Sequence, residues 1–208
     1  MGIFLFLVFV VGLGIWVLGS RWLLRDVESA RYFVVAASEE YEVREYPESV
    51  IAEVTVFGSL DAAANEGFSI LSGYLLGANE AKVRLPMMTP VGESLADPAA
   101  LSALGVDANR GDSVHTVVFT MSEKYTLPIL PKPTDARIVL TKLPTRFVAA
   151  MRFGWYPTDV RVAEAEARLL ALLERDGRNP VGEVELARYD APFSMPLLLR
   201  NEILVEVE

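Results

Sequence analysis

Two hydropathy regimes divide this chain. From Ile3 to Leu18 no charged side chain interrupts a run of Leu, Val, Phe and Ile, whereas from about Glu40 apolar and polar residues alternate. Alternation with a period of two marks strands that bury one face. "YEVREYP" and "SVIAEVTVFG" predict two strands parted at Pro47-Glu48, with Val50, Ala52, Val54 and Val56 on one face. Ser59 then caps a helix in which Leu60, Ala63, Gly67, Ile70, Leu71 and Tyr74 form one stripe, and Gly77 supplies its stop.

The second half repeats this grammar. "ARIVLTKLP" and "RFVAAMRFG" predict a strand pair parted at Pro144, followed from about Thr158 by a helix that turns Val162, Ala165, Leu169 and Leu172 inward and stops at Gly177. Pro47 matches Pro144, Phe57-Gly58 matches Phe153-Gly154, and Gly77-x-Asn79 matches Gly177-x-Asn179. Two more strands close each half: "VRLPMM" and "SVHTVVFTM" in the first, "VELARYD" and "EILVEVE" in the second. The reading is a duplicated ββαββ unit over about 40–121 and 135–207. One such unit cannot cover both its sheet and its helix stripe, so the halves are expected to pair as one antiparallel sheet or open barrel with two helices. Their seam is the natural cleft. From Gly92 to Asp112 periodicity is weak, which predicts one long connection.

The N-terminal run approaches the ~20 residues that span a bilayer, and Trp16 and Trp22 lie near its far end. Residues 1–24 are therefore expected to be a single-pass transmembrane anchor and 25–39 a juxtamembrane linker. A cleaved signal peptide is the rival reading, but the start has no basic region and Val17-Leu18-Gly19 is a poor cleavage site. Arg21, Arg25 and Arg31 follow the run, which by the positive-inside rule places the domain on the cytoplasmic side. Phe6 stands where a myristoylation signal needs Ser or Thr.

Composition narrows the chemistry. With 28 acidic against 19 basic residues the net charge is −9, which repels a phosphate backbone and argues against nucleic acid as a partner. The chain has no cysteine, so thiol catalysis, thiolate metal sites and covalent haem attachment are excluded. His115 is the one histidine, so a two-histidine metal site is excluded too. No phosphate loop, nucleophile elbow or zinc spacing occurs.

"YEVREYP", "GYLLGAN", "MMTPV", "LPKPTDARIVL", "RYDAP" and "RNEI" occur in the order and spacing of a known family, and residues 40–208 resemble the SOUL haem-binding proteins. One motif departs: Met88 stands where the family has Thr, which makes this segment more apolar. The resemblance implies an α+β fold, a distorted antiparallel β-barrel with two helices shared with GyrI-like effector-binding domains. It also implies reversible, non-covalent binding of haem b or a related porphyrin without turnover, in an apolar groove beside the first helix. Leu60, Ala64, Phe68 and Leu71 match the family's groove-lining positions, with Phe68 off the centre of the stripe. The resemblance implies a tetrapyrrole as partner, and the N-terminal run, outside the resemblance, implies the membrane; the sequence names no haem donor or acceptor protein.

His115 shares a strand face with Val117, Phe119 and Met121, so it is either a packed core histidine, the commoner case, or an axial metal donor at the edge of the slot. Met87 and Met88 could lend a thioether or simply fill space. Arg152, with Arg84 and Arg200, could meet a propionate or be a solvated structural residue. Arg200-Asn201-Glu202 reads as a local closure of the last strand rather than a catalytic group. Two other functions suit the same cleft: a GyrI-like hydrolase in which an acid activates water, and a module that holds an amphipathic segment of a protein partner.

Overall fold

The computed structural model describes residues 28–95, 113–190 and 194–208. The strands are β1 (Glu28–Ser29), β2 (Phe33–Ala37), β3 (Glu42–Tyr46), β4 (Ser49–Phe57), β5 (Met88–Thr89), β6 (Val91–Leu95), β7 (Val114–Thr120), β8 (Val139–Leu143), β9 (Arg146–Phe153), β10 (Pro180–Arg188) and β11 (Asn201–Val207). The helices are α1 (Leu60–Leu75) and α2 (Asp159–Arg175). The structure is thus α+β, with two helices against a large antiparallel sheet.

Both helices begin and end where local chemistry dictates. The Ser59 hydroxyl accepts from the Ala62 amide and the Thr158 hydroxyl from the Arg161 amide, satisfying donors that a first turn leaves free. Past their C-termini, Gly77 and Gly177 take φ of +117° and +67°, a region that disfavours side chains.

Nine strands form one sheet in the order β2-β3-β9-β11-β10-β6-β7-β4-β8, while β1 and β5 make a separate parallel pair. The sheet is open: β2 and β8 are its edges, which corrects the expected barrel. Closure depends on accumulated strand twist, which a two-residue period does not encode. β3 crosses to pair with β9, and β8 crosses to pair with β4. β6 and β10 meet at the centre, with Glu93 opposite Leu186.

Both helices lie on one face. α1 packs over β4 and β7, burying Leu71, Tyr74 and Leu75 against Val54, Val117 and Phe119. α2 packs over β9, β10 and β11, burying Leu169 and Leu173 with Met151 and Ile203. Each fully buried Leu or Ile contributes about 1.5–3 kcal/mol. Gly67 permits a close approach, since a Cβ there would fall 2.5 Å from Val117 Cγ2. The helix-free face carries a smaller cluster of Val148, Ala150, Ala187 and Leu204.

Three boundaries differ from the sequence expectation. The strand expected from "VRLPMM" is reduced to Met88–Thr89, and the ladder strand begins beyond Pro90. Gly92–Leu95, expected to open a long connection, belongs to β6, and the rest of that connection lies outside the described residues. Within the stretch read as a linker, β1 and β2 form, and β2 extends the sheet beyond β3. The expected membrane anchor, 1–24, lies outside the described residues, among which no helix is long and apolar enough to cross a membrane.

Candidate functional site

The seam strands bring an unexpected polar group to the helix-bearing face. Alternation in β6 sends Glu93 to the side of Val91, and alternation in β10 sends Arg188 to the side of Leu186. His115 arrives on β7 opposite Leu95, in line with Val117 and Phe119. Glu93 is 2% and His115 5% exposed. Arg188 Nη2 donates to Glu93 Oε2 at 3.0 Å, and its Nη1 stands 3.9 Å from Asp61 Oδ1 in the first turn of α1. His115 Nδ1 lies 3.5 Å from Glu93 Oε1, too long for a hydrogen bond.

Among the described residues, four buried polar atoms in this one cluster lack a partner: Glu93 Oε1, both His115 ring nitrogens and Arg188 Nε. Buried donors and acceptors without partners are rare, and each costs about 1–3 kcal/mol. Burial pushes the Glu93 carboxyl up to about 7 despite the opposing pull of Arg188, with Asp61 and Asp159 adding to the rise. Burial also lowers the His115 pKa; the Gly58 carbonyl opposes this but falls short of hydrogen-bond geometry. The cluster therefore presents a carboxyl poised near neutrality, an imidazole favoured in its neutral form, and a guanidinium with one free donor.

An apolar wall stands beside it. Leu60, Ala64 and Phe68 occupy an i, i+4, i+8 row along the flank of α1. Leu60 packs against the α2 core cluster, so this flank faces the seam. Phe68 is 40% exposed and meets Phe119 edge-on, with ring centroids 5.5 Å apart. Leu71, by contrast, is wholly buried in the core.

The other expected residues scatter. Met87 packs against the α1 core, whereas Met88 is buried and lines a small cavity with Tyr46, Arg146 and Leu204. Arg152 is exposed and stands opposite Glu202 in the ladder, on the helix-free face. Leu60, Ala64, Phe68 and His115 thus share the helix face; Met88 and Arg152 do not join them. Among the described residues, no group of three or more histidine and carboxylate side chains could hold a metal ion.

The helix-free face holds two further features. Glu202 accepts from Arg44 Nη1 at 2.5 Å, Arg200 Nη2 at 2.7 Å and Tyr189 Oη at 2.8 Å, and Arg44 and Glu202 are both buried. Burial would raise the Glu202 carboxyl, yet the two arginines hold it below its ordinary range. This pairing joins "YEVREYP" to "RNEI" across 158 residues, which enlarges the expected local closure into a long-range tie. Asn201 Nδ2 donates to the Trp155 carbonyl at 2.8 Å. A cleft of about 390 Å³, lined by Ile51, Glu53, Val118, Arg146 and Glu185, opens on the same face.

A search of curated proteins gave no match. Among solved structures, the EcmrR C-terminal domain is 12% identical, with 81% of this chain and 97% of that one covered and a TM-score of 0.57. A structure titled as a hydrolase from Listeria innocua is 12% identical, with 84% and 94% covered and a TM-score of 0.53. At such identities these show the fold alone. The model of the family described as SOUL heme-binding protein matches residues 27–206, nearly every described position. This chain belongs to the SOUL heme-binding protein family.

Proposed function

We propose that this protein binds haem or a related tetrapyrrole non-covalently against the apolar flank of α1 beside the seam, as a membrane-tethered carrier or buffer without turnover. The family match over residues 27–206 carries the reading. The residues present fit the group. Leu60, Ala64 and Phe68 offer an apolar wall for the macrocycle, and Phe68 keeps a large exposed face for it. Arg188, with Nε free, is the cation at hand for a propionate, and His115 offers the imidazole for iron. A packed core histidine normally finds a partner for its nitrogens, and His115 has none among the described residues. When bound, haem would supply a flat, strongly absorbing ring with an iron centre. Arg152, on the opposite face, has no part in this reading.

The tether rests on the uncharged run Ile3–Leu18, and the cytoplasmic side on the arginines that follow it. We also read the domain as a duplicated ββαββ unit: apart from β2, the strand order is symmetric about the β10–β6 seam, with each half's first strand donated to the other. The free Oε1 of Glu93 favours a second reading, in which its carboxylate takes a proton from a water that attacks an electrophilic ligand.

Titration of the full chain in detergent with hemin tests the first reading. A saturable Soret band is expected, and its absence refutes binding. Consumption of an ester or lactone that stops in Glu93→Gln would favour the second.

A further inference from the structure

The edge strand β2 carries Phe33, Val34 and Val35, which are 65%, 50% and 50% exposed. The register shifts between Val34 and Ala36, and among the described residues β2 has no neighbour beyond β3. Such an edge with three consecutive bulky apolar residues invites a partner. Chain length identifies one. β1 is held in place by its pairing with Met88–Thr89, and Ala30 donates to the Thr89 carbonyl at 2.8 Å. Only Arg25, Asp26 and Val27 separate Leu24 from this pair, a reach of about 14 Å when fully extended. Phe33 follows Glu28 by five residues, about another 17 Å. The apolar edge therefore lies within about 31 Å of the end of the run proposed to enter the bilayer.

We infer that β2 is a membrane-contacting edge: Phe33, Val34 and Val35 rest in the interface of the bilayer that residues 1–24 enter, and so fix the orientation of the domain on the lipid surface. This rests on the tethering proposed above. Interfacial apolar residues enter about 5–10 Å into the boundary between headgroups and acyl chains, a depth that an edge strand reaches without leaving its sheet. Contact with lipid also shields the edge from pairing with another copy.

The chain has no cysteine, so a single fluorescent label can be placed at Val34→Cys, with Val160→Cys on α2 as the reference, itself 67% exposed. The full chain is reconstituted in phosphatidylcholine vesicles containing a fraction of lipid with a nitroxide near the headgroup. The label at 34 is expected to be quenched by the nitroxide lipid and protected from aqueous iodide, and the label at 160 to show the reverse. Iodide quenching at 34 equal to that at 160 overturns the inference while the tether stands. Protection at 34 from both quenchers assigns the edge to a second copy and overturns it as well. Protein that fails to float with the vesicles refutes the tether, and the inference falls with it.

Discussion

Replacing Glu93 by Gln should make the protein more stable at neutral and alkaline pH, a direction unusual for a fully buried residue. In the unfolded chain this carboxyl loses its proton near 4.5, whereas in the folded state it holds it to about 7. Between those values the folded state keeps a proton the unfolded state has lost, so stability falls as pH rises through the window. Above it the full penalty applies: about 2.5 pH units at 1.36 kcal/mol each, about 3 kcal/mol. Gln keeps the shape and an oxygen for Arg188, which also retains Asp61, while abolishing the ionisation. His115 acts in the opposite sense, its lowered pKa removing stability as pH falls below 6.5, but that contribution is largely common to both proteins. Urea unfolding of the full chain in detergent, followed by circular dichroism from about pH 4.5 to about pH 8, gives the difference curve. The variant should match the parent at the acid end and exceed it by about 3 kcal/mol at the alkaline end. Parallel curves, or a variant less stable at about pH 8, would refute this account of the Glu93 environment.

Other substitutions test the neighbouring structure. His115→Ala should shift the Soret band of bound hemin; an unshifted band with a lower melting temperature would return His115 to the packed core. Glu202→Ala leaves Arg44 buried beside Arg200 without their shared carboxylate, so denaturant unfolding should show a loss of about 3–5 kcal/mol, and a loss under 1 kcal/mol would contradict the long-range tie. Gly67→Ala gains about 1 kcal/mol of helix propensity but drives a methyl into the stiff Val117 side chain, so a net loss of about 1–2 kcal/mol is expected from thermal unfolding.

Strand alternation and helix caps were legible because they are local. Ser59, Thr158, Gly77 and Gly177 mark helix ends in the sequence as they do in the structure. β2 was not legible, since "FVVAA" has no polar alternation and its register shift breaks the period. His115 drew notice as the one histidine, but Glu93 did not, because the Gly, Pro and Asp residues around and after it read as a loop. The signal was present in Val91, Glu93 and Leu95, an acid on the apolar face of a short alternating run. Arg188 was hidden similarly: a lone arginine at a strand end reads as solvated until the opposite strand supplies its carboxylate. The Arg44–Glu202 pair depends on contact across 158 residues, and no local pattern predicts which two charges will meet.

The most direct test of the account is hemin titration of the full chain and of its Phe68→Asp variant, read at the Soret band, with thermal unfolding measured on the same samples. Phe68 leaves 40% of its surface exposed beside the seam, so the exchange should remove more binding energy than folding energy. The account predicts saturable binding by the parent and an affinity lower by about tenfold or more in the variant, at least about 1.4 kcal/mol, with a smaller loss of stability. Absence of saturable binding by the parent, or affinity and stability falling together, would contradict it.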